Sequence, residues 1–490
     1  MTRACVIGAG FAGLALAIRL QSAGIVTTLV EAAGEAGGCA RTIRVGEHVF
    51  DAGPDTITDP AGLAALWHAG GAVLGDDVTL VPVAPVARVL WPDGAAFDWP
   101  ADPALRRAEV ARFAPGDISG YEDLVRDAEE TRLALAPPPG DAAVPTTAHA
   151  LAIAARRAPT LIRNQAWRSQ AARIGSYVRA PRLRELLAMP ALARGANPFE
   201  VGGVPAGGSA AIRVEGGMHR LVAAMVALFQ ARGGALRLNA PVRRIHTIGT
   251  RAHAVECVDG WQERFDVIAS GADLMATYRG FLAGVPHGDF VARRLVRRAW
   301  SPAMFSVHLA LDGAVPGIAA RTVLMPARFQ GLVEDIFDHG VLPRDMAIVL
   351  NHAAGEGDVS LLSAHVPVAN LAQLPIDWAE VAPRLKQRVL AELGGRLLPG
   401  IGERILASAV VSPADHAAAT GAYAGSAWSL GVTRLGSLGL PGPWARAPLR
   451  DPVISNLYLV GAGTQCGPGI AAALASAAEA AGLIAADTPI

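Results

Sequence analysis

No stretch limits the folds open to this chain as sharply as its first sixty residues. Ala4-Cys5-Val6-Ile7 is a short apolar run of strand character that passes directly into Gly8-Ala9-Gly10-Phe11-Ala12-Gly13, a Gly-x-Gly-x-x-Gly pattern. Helix periodicity follows in Leu14, Ala17, Ile18 and Leu20, and Gly24 marks its stop. Val26-Thr27-Thr28-Leu29-Val30 then predicts a second strand that closes on Glu31. Strand, glycine turn, helix, strand and terminal acid, in that order, specify a dinucleotide-binding βαβ unit. Gly8 permits the tight turn, Gly10 lets backbone amides approach a pyrophosphate, and Gly13 lets the helix pack close to the strand. The helix N-terminus offers the phosphates unsatisfied N–H groups and a partial positive charge. Glu31 is placed to accept hydrogen bonds from adenosine ribose hydroxyls. A glycine-rich turn without a ligand would not require all of these parts in register.

Beyond Glu31 the chain reads Ala36-Gly37-Gly38-Cys39-Ala40-Arg41, then Phe50-Asp51-Ala52-Gly53-Pro54-Asp55-Thr56-Ile57-Thr58-Asp59-Pro60. Here it resembles the flavin-dependent carotenoid desaturases, the bacterial phytoene desaturase group of the amine-oxidase-like superfamily. Their pattern is a dinucleotide fingerprint, an acid, Gly-Gly-Arg, and Asp-Ala-Gly-Pro-Thr-x-Ile-Thr-Asp-Pro. Cys39 stands where that family has Arg, and Asp55 where it has Thr. Arg41, two residues on, is the candidate to supply the missing charge. The resemblance implies that Ala32, Gly38, Cys39, Arg41, Gly53 and Pro54 join Gly8 to Gly13 and Glu31 around FAD, with Val242 near the adenine through its backbone. It also extends to the C-terminus, where Asn456-Leu457-Tyr458-Leu459-Val460-Gly461-Ala462-Gly463-Thr464 returns to the nucleotide domain. A helix from Ile470 is then implied to aim its N-terminus at the flavin, with Gly461 and Gly463 in the turn before it. Gln465-Cys466-Gly467-Pro468 departs from the family's His-Pro-Gly-Ala, and Ala424 replaces the His of its Tyr-His-Gly-Ser-Ala-Phe-Ser stretch.

The 490 residues exceed what one hydrophobic core usually serves, so two or three domains are expected. The expected fold class is α/β. It comprises a discontinuous Rossmann-like FAD-binding domain of GR2 type (1–100, 215–289 and 451–490), a helical, membrane-facing substrate region (101–214) and an inserted mixed α+β substrate-binding domain (290–450). Fifty-two per cent apolar residues point to large buried surfaces or an apolar ligand. Forty-three basic residues balance forty-three acidic ones, which argues against a nucleic-acid partner. Cys5, Cys39, Cys257 and Cys466 are widely spaced and form no metal motif, as in a reducing compartment. The fingerprint strand begins at Arg3, leaving no room for a signal peptide, and the apolar run 452–478 is broken by glycines and Pro468. A cytoplasmic protein with no transmembrane segment is expected.

One fingerprint without a second copy leaves the single dinucleotide to carry the electrons, which requires FAD and no nicotinamide domain. The implied chemistry is desaturation of a polyene by hydride transfer to the flavin, with oxygen or a quinone as acceptor. Substrates of C40 or C30 length fit the resemblance, as do hydroxylated or methoxylated carotenoids, because Gly38-Cys39-Ala40-Arg41-Thr42 is similar to that subgroup's Gly-Lys-x-Arg-Thr. A flavin amine oxidase and a non-catalytic flavin or carotenoid carrier are the competing classes. No catalytic acid or base is assigned; isolated His219 and His308 are read as structural. Between Ala142 and Arg184 there is no acid, whereas Arg156, Arg157, Arg163, Arg168, Arg173, Arg179, Arg182 and Arg184 alternate with Leu161, Ile162, Trp167, Ile174, Tyr177 and Leu183. That texture predicts a lipid-facing surface and peripheral attachment to the inner face of the cell membrane.

Overall fold

A computed structural model describes residues 1–135, 147–201, 211–355, 357–432 and 446–488. Three distant parts of the chain build one five-stranded parallel sheet in the order Leu457–Leu459, Val267–Ser270, Arg3–Ile7, Val26–Val30, Ala235–Arg237. Its strands are apolar runs because both faces are covered. Ala4 and Val6 face the helices Phe11–Ser22, Met218–Ala231 and Ile470–Asp487, packing with Leu14, Leu16, Met225, Phe229, Leu474 and Ala477. Cys5 and Ile7, one residue out of phase, face a three-stranded antiparallel layer through Ile245 and Val255. That layer is Val242–Ile248, Arg251–Cys257 and Gln262–Arg264. The two-residue strand period therefore assigns alternate residues of one strand to two cores.

The second sheet has seven strands in the order Ile405–Val411, Ala303–Asp312, Val359–Val368, Ile348–Ala354, Arg321–Leu324, Ala87–Leu90, Ala96–Trp99. Its pairs are antiparallel except Arg321–Leu324 with Ala87–Leu90. This corrects the expected boundary at residue 100. The hairpin Ala87–Leu90 and Ala96–Trp99 extends the substrate sheet, because Thr322 to Leu324 pair with Arg88 to Leu90 and Ala96–Trp99 forms the outer edge of that sheet. A second correction concerns the helical region. The helices Pro103–Phe113, Ile118–Leu135, Gln170–Tyr177 and Pro181–Leu192 share a core with that hairpin, where Leu183, Leu186 and Leu187 meet Val89, Phe97 and Val323. They extend the substrate domain instead of standing apart from it.

One helix among the described residues, Ile470–Asp487, is long and apolar enough to cross a membrane. It packs on the fingerprint helix, with Leu474, Ala477, Ala480 and Ile484 buried in the nucleotide core.

Candidate cofactor and active site

The turn after the first strand is shaped by close backbone contacts. A Cβ on Gly13 would lie 1.8 Å from the Gly8 carbonyl oxygen, so helix and turn meet at a distance only glycine allows. A Cβ on Gly10 would meet nothing closer than the Gly37 oxygen and the Gly38 Cα, both at 3.9 Å. The protein itself therefore makes no steric demand for glycine at position 10. The open space there is a cradle that a side chain would fill and a pyrophosphate can enter. Gly38 forms the opposite wall, with a would-be Cβ 3.2 Å from the Gly10 Cα, and Gly10 bridges Gly37. Gly53 packs behind this wall: its Cβ would fall 2.1 Å from the Cys39 carbonyl oxygen, while Pro54 and Cys39 are exposed.

Donors converge on the same place. The fingerprint helix has Gly10 as N-cap, no side-chain cap and no acid in its first turn. The N–H groups of Phe11, Ala12 and Gly13 thus have no intrahelical acceptor, although the side chains of Phe11 and Ala12 are buried. The C-terminal helix repeats the arrangement: its N-cap Gly469 lacks a side-chain cap, and Ile470 is its first, buried residue. Gly461 sits 3.5 Å, measured from its would-be Cβ, from the Ala12 Cβ. A Cβ on Gly463 would meet Leu274 at 2.6 Å. Two uncapped helix N-termini and a glycine-walled cradle fit the phosphates and the electron-rich flavin of FAD.

At the other end, Glu31 is held ready: Oε2 accepts the Ala9 N–H at 2.7 Å and Oε1 accepts the Ala33 N–H at 2.9 Å. The Ala9 amide is therefore committed to Glu31 and leaves the phosphates to the following residues. Each carboxylate oxygen keeps a second lone pair for a ribose hydroxyl. The chain entering Val242 runs alongside, with Asn239 N–H donating to Ala33 O and Ala240 N–H to Glu31 O. Exposed Ala32 lies between them.

Between cradle and substrate sheet lies a polar junction that sequence reasoning did not assemble. Asp51 accepts the Met218 N–H at 3.0 Å and so caps the helix Met218–Ala231; burial raises its carboxyl above the usual range. Asp55 binds Arg213 and Arg321; although burial opposes it, these guanidiniums hold its carboxyl below the usual range. His308 and His365 hydrogen-bond Ser363 and Ser306 at 2.9 and 2.8 Å. Burial pushes their imidazoles down to about 3 and about 4, so both are neutral. The positive charge of Arg41 adds to the depression of His308 and of His416. Asp273, three residues past the strand Val267–Ser270, accepts the Met275 N–H at 2.8 Å, and burial pushes its carboxyl up to about 6. The acid after Ser270-Gly271-Ala272, at a strand's carboxyl end, was the signal that could have marked it.

One nucleotide cradle among the described residues, at the carboxyl ends of a parallel sheet and beside a second sheet, defines a flavoprotein oxidoreductase that binds FAD. The family model described as flavin containing amine oxidoreductase matches residues 11–485. A lycopene-forming phytoene desaturase from a Paracoccus species is 38% identical over 488 residues, covering 97% of this chain and 95% of its own. One from Pseudescherichia vulneris is 34% identical over 501 residues, 99% of each chain. An oxidoreductase structure from Methanosarcina mazei matches with a TM-score of 0.66 at 17% identity, covering 97% of this chain and 99% of that one, a likeness of fold. The chain belongs to the flavin containing amine oxidoreductases and, within them, to the phytoene desaturases.

Proposed function

We propose that this chain is an FAD-dependent desaturase of a linear carotenoid polyene of the phytoene type. The observation that carries the reading is one nucleotide cradle, with no second Rossmann sheet among the described residues, in a chain similar throughout its length to lycopene-forming desaturases. Bound FAD supplies the hydride acceptor for a C–H bond next to an existing double bond. Gly10, Gly38 and the first-turn amides of Phe11 to Gly13 hold its pyrophosphate, Glu31 its ribose, and the Ile470 helix terminus its electron-rich end. The substrate sheet turns the face that carries Ser306, His308, Ser363 and His365 toward the cradle, while Phe305, Val307, Val366 and Val368 fill the core on its other side. The departing proton needs an acceptor, and neutral His308 and His365 are poor ones because burial opposes their protonation.

The polyene dissolves in bilayers, so the enzyme docks reversibly on an anionic inner leaflet of the cell membrane and works from the cytoplasmic side. Exposed Ile162 and Trp167, 61% and 48% accessible, flank exposed Arg156 and Arg163 and supply the apolar and basic contacts. Arg173 does not belong to this surface: it is fully buried and donates to Thr131 Oγ1 at 3.1 Å. A quinone in the same bilayer, or oxygen, reoxidises the flavin. The test is the pigment profile of cells that make phytoene and express this chain. New longer-wavelength polyene bands support desaturation; unchanged phytoene with FAD-loaded protein present would sink it.

A further inference from the structure

The loop from Asp51 to Pro60 joins the cradle to the substrate sheet and carries a buried charge imbalance. Arg213 Nη2 lies 2.5 Å from Asp55 Oδ2, and Arg321 Nη2 donates to Oδ1. The Asp55 side chain is 9% exposed, those of Arg213 and Arg321 19% and 27%. Two guanidiniums facing one carboxylate leave one positive charge. Their remaining bonds go to neutral groups: Arg213 to the carbonyls of His352 and Ala320, Arg321 to Thr56 Oγ1 and Asn351 Oδ1. Asp51 and Asp59, the other acids of the loop, accept the Met218 and Gly62 amides and bond to neither guanidinium. His365, which also faces Asp55 and Arg321, is neutral and bonded to Ser306. Among the described residues no other charged side chain is bonded to the triad.

The triad is close to the cradle that would hold FAD. Gly53 forms the back of the cradle against the Cys39 carbonyl. Two residues of chain reach at most about 7 Å, so Asp55 begins within that distance of the wall. Screening is weak there because the carboxylate is almost out of solvent.

We propose that the Arg213–Asp55–Arg321 triad tunes the flavin: its unbalanced positive charge stabilises the negative charge FAD gains on two-electron reduction and holds the midpoint potential of the bound cofactor up. Asp55 sets the size of the effect by neutralising one of the two guanidiniums. The same three side chains clamp the loop Asp51 to Pro60, the strand Ala211–Val214 and the strand Arg321–Leu324 together, so the tuning charge is fixed relative to the cradle. The proposal rests on FAD binding alone and not on the identity of the polyene.

Charge and clamping make different predictions for substitutions, and anaerobic spectroelectrochemical titration of the holoenzyme separates them. Arg321→Gln brings the triad to zero and should lower the midpoint potential. Asp55→Asn takes it to two positive charges and should raise it. The double variant Asp55→Asn with Arg321→Gln restores one positive charge, and its potential should return toward that of the parent although the ion pairs are gone. Asp55→Thr carries the same charge as Asp55→Asn and substitutes for it should the amide variant fail to fold or load FAD. A purely mechanical clamp would move both single variants in one direction and leave the double variant furthest from the parent. That pattern, or unchanged potentials in FAD-loaded single variants, overturns the proposal. Neither result touches the desaturase reading, which the pigment profile of the unaltered chain decides separately.

Discussion

Three glycines that look equivalent in the fingerprint are glycine for different reasons. Gly13 is glycine for the fold, since any Cβ would collide with the Gly8 oxygen at 1.8 Å. Gly10 is glycine for the ligand, since the protein leaves its Cβ position open to 3.9 Å. Gly10→Ala should therefore leave the urea-denaturation midpoint of the apoprotein nearly unchanged and weaken FAD binding at least tenfold, read by flavin fluorescence titration. Gly13→Ala should lower apoprotein stability by about 1–3 kcal/mol, the usual cost of overpacking. Equal losses of stability in both variants would mean that the cradle has been misread. The substitution of Arg by Cys39 belongs to this scale as well. The side chain there is short and exposed, and Arg41 follows two residues on, immediately before the strand Thr42–Val45.

Among the elements, the helices 101–192 combine two roles that their sequence texture blends into one. Arg173 and Asn164 are interior and bonded to Thr131. Arg163 pairs with Glu130 and Arg182 with Asp93. The remaining basic surface is narrower than the run of eight arginines suggests, so the proposed docking rests more on Ile162 and Trp167. Near an anionic leaflet each cationic side chain contributes about 1 kcal/mol. Flotation with anionic liposomes at low salt should capture the protein, and high salt or neutral lipid should release it. Changing Arg156, Arg157 and Arg163 to Ser should reduce capture severalfold. Undiminished flotation of that variant would move docking elsewhere, with Phe290 and Arg294 on the helix Pro286–Val296 next in line.

Across the whole molecule, nucleotide and substrate domains meet through buried groups whose protonation would part them. Phe50 of the cradle hairpin leans on His308 with ring centroids 5.4 Å apart, and His365 lies beside Asp55. His308, His365 and His416 are pushed down by burial to about 3, 4 and 4. In the unfolded chain they titrate near pH 6.5. Below that pH the unfolded chain binds protons that the native one refuses, so stability is full above about pH 6.5 and falls progressively toward pH 4. Asp273, raised to about 6, acts in the opposite sense from about pH 6 downward, as does Asp51, also raised, but the three imidazoles outnumber them. The urea midpoint should drop between pH 7.5 and pH 5, and drop less in His308→Gln. An equal drop in that variant would remove His308 from the account.

The sequence by itself determined the nucleotide unit, because everything that makes it is local. A strand, a glycine turn, a helix start and a terminal acid all lie within the first 31 residues, and each residue's role follows from backbone geometry. The return of the chain at Val267 and Leu457 was legible for the same reason, as apolar strands feeding glycine turns. Only the tertiary structure decided where the hairpin 87–99 belongs, since a short half-buried strand carries no mark of which sheet will take it. Asp55 stood out in the sequence as a departure from Thr, but its partners Arg213 and Arg321 lie 158 and 266 residues away. Charge pairing over such separations leaves no local pattern, because its energy comes from desolvation and proximity that exist only once the two sheets have closed on each other.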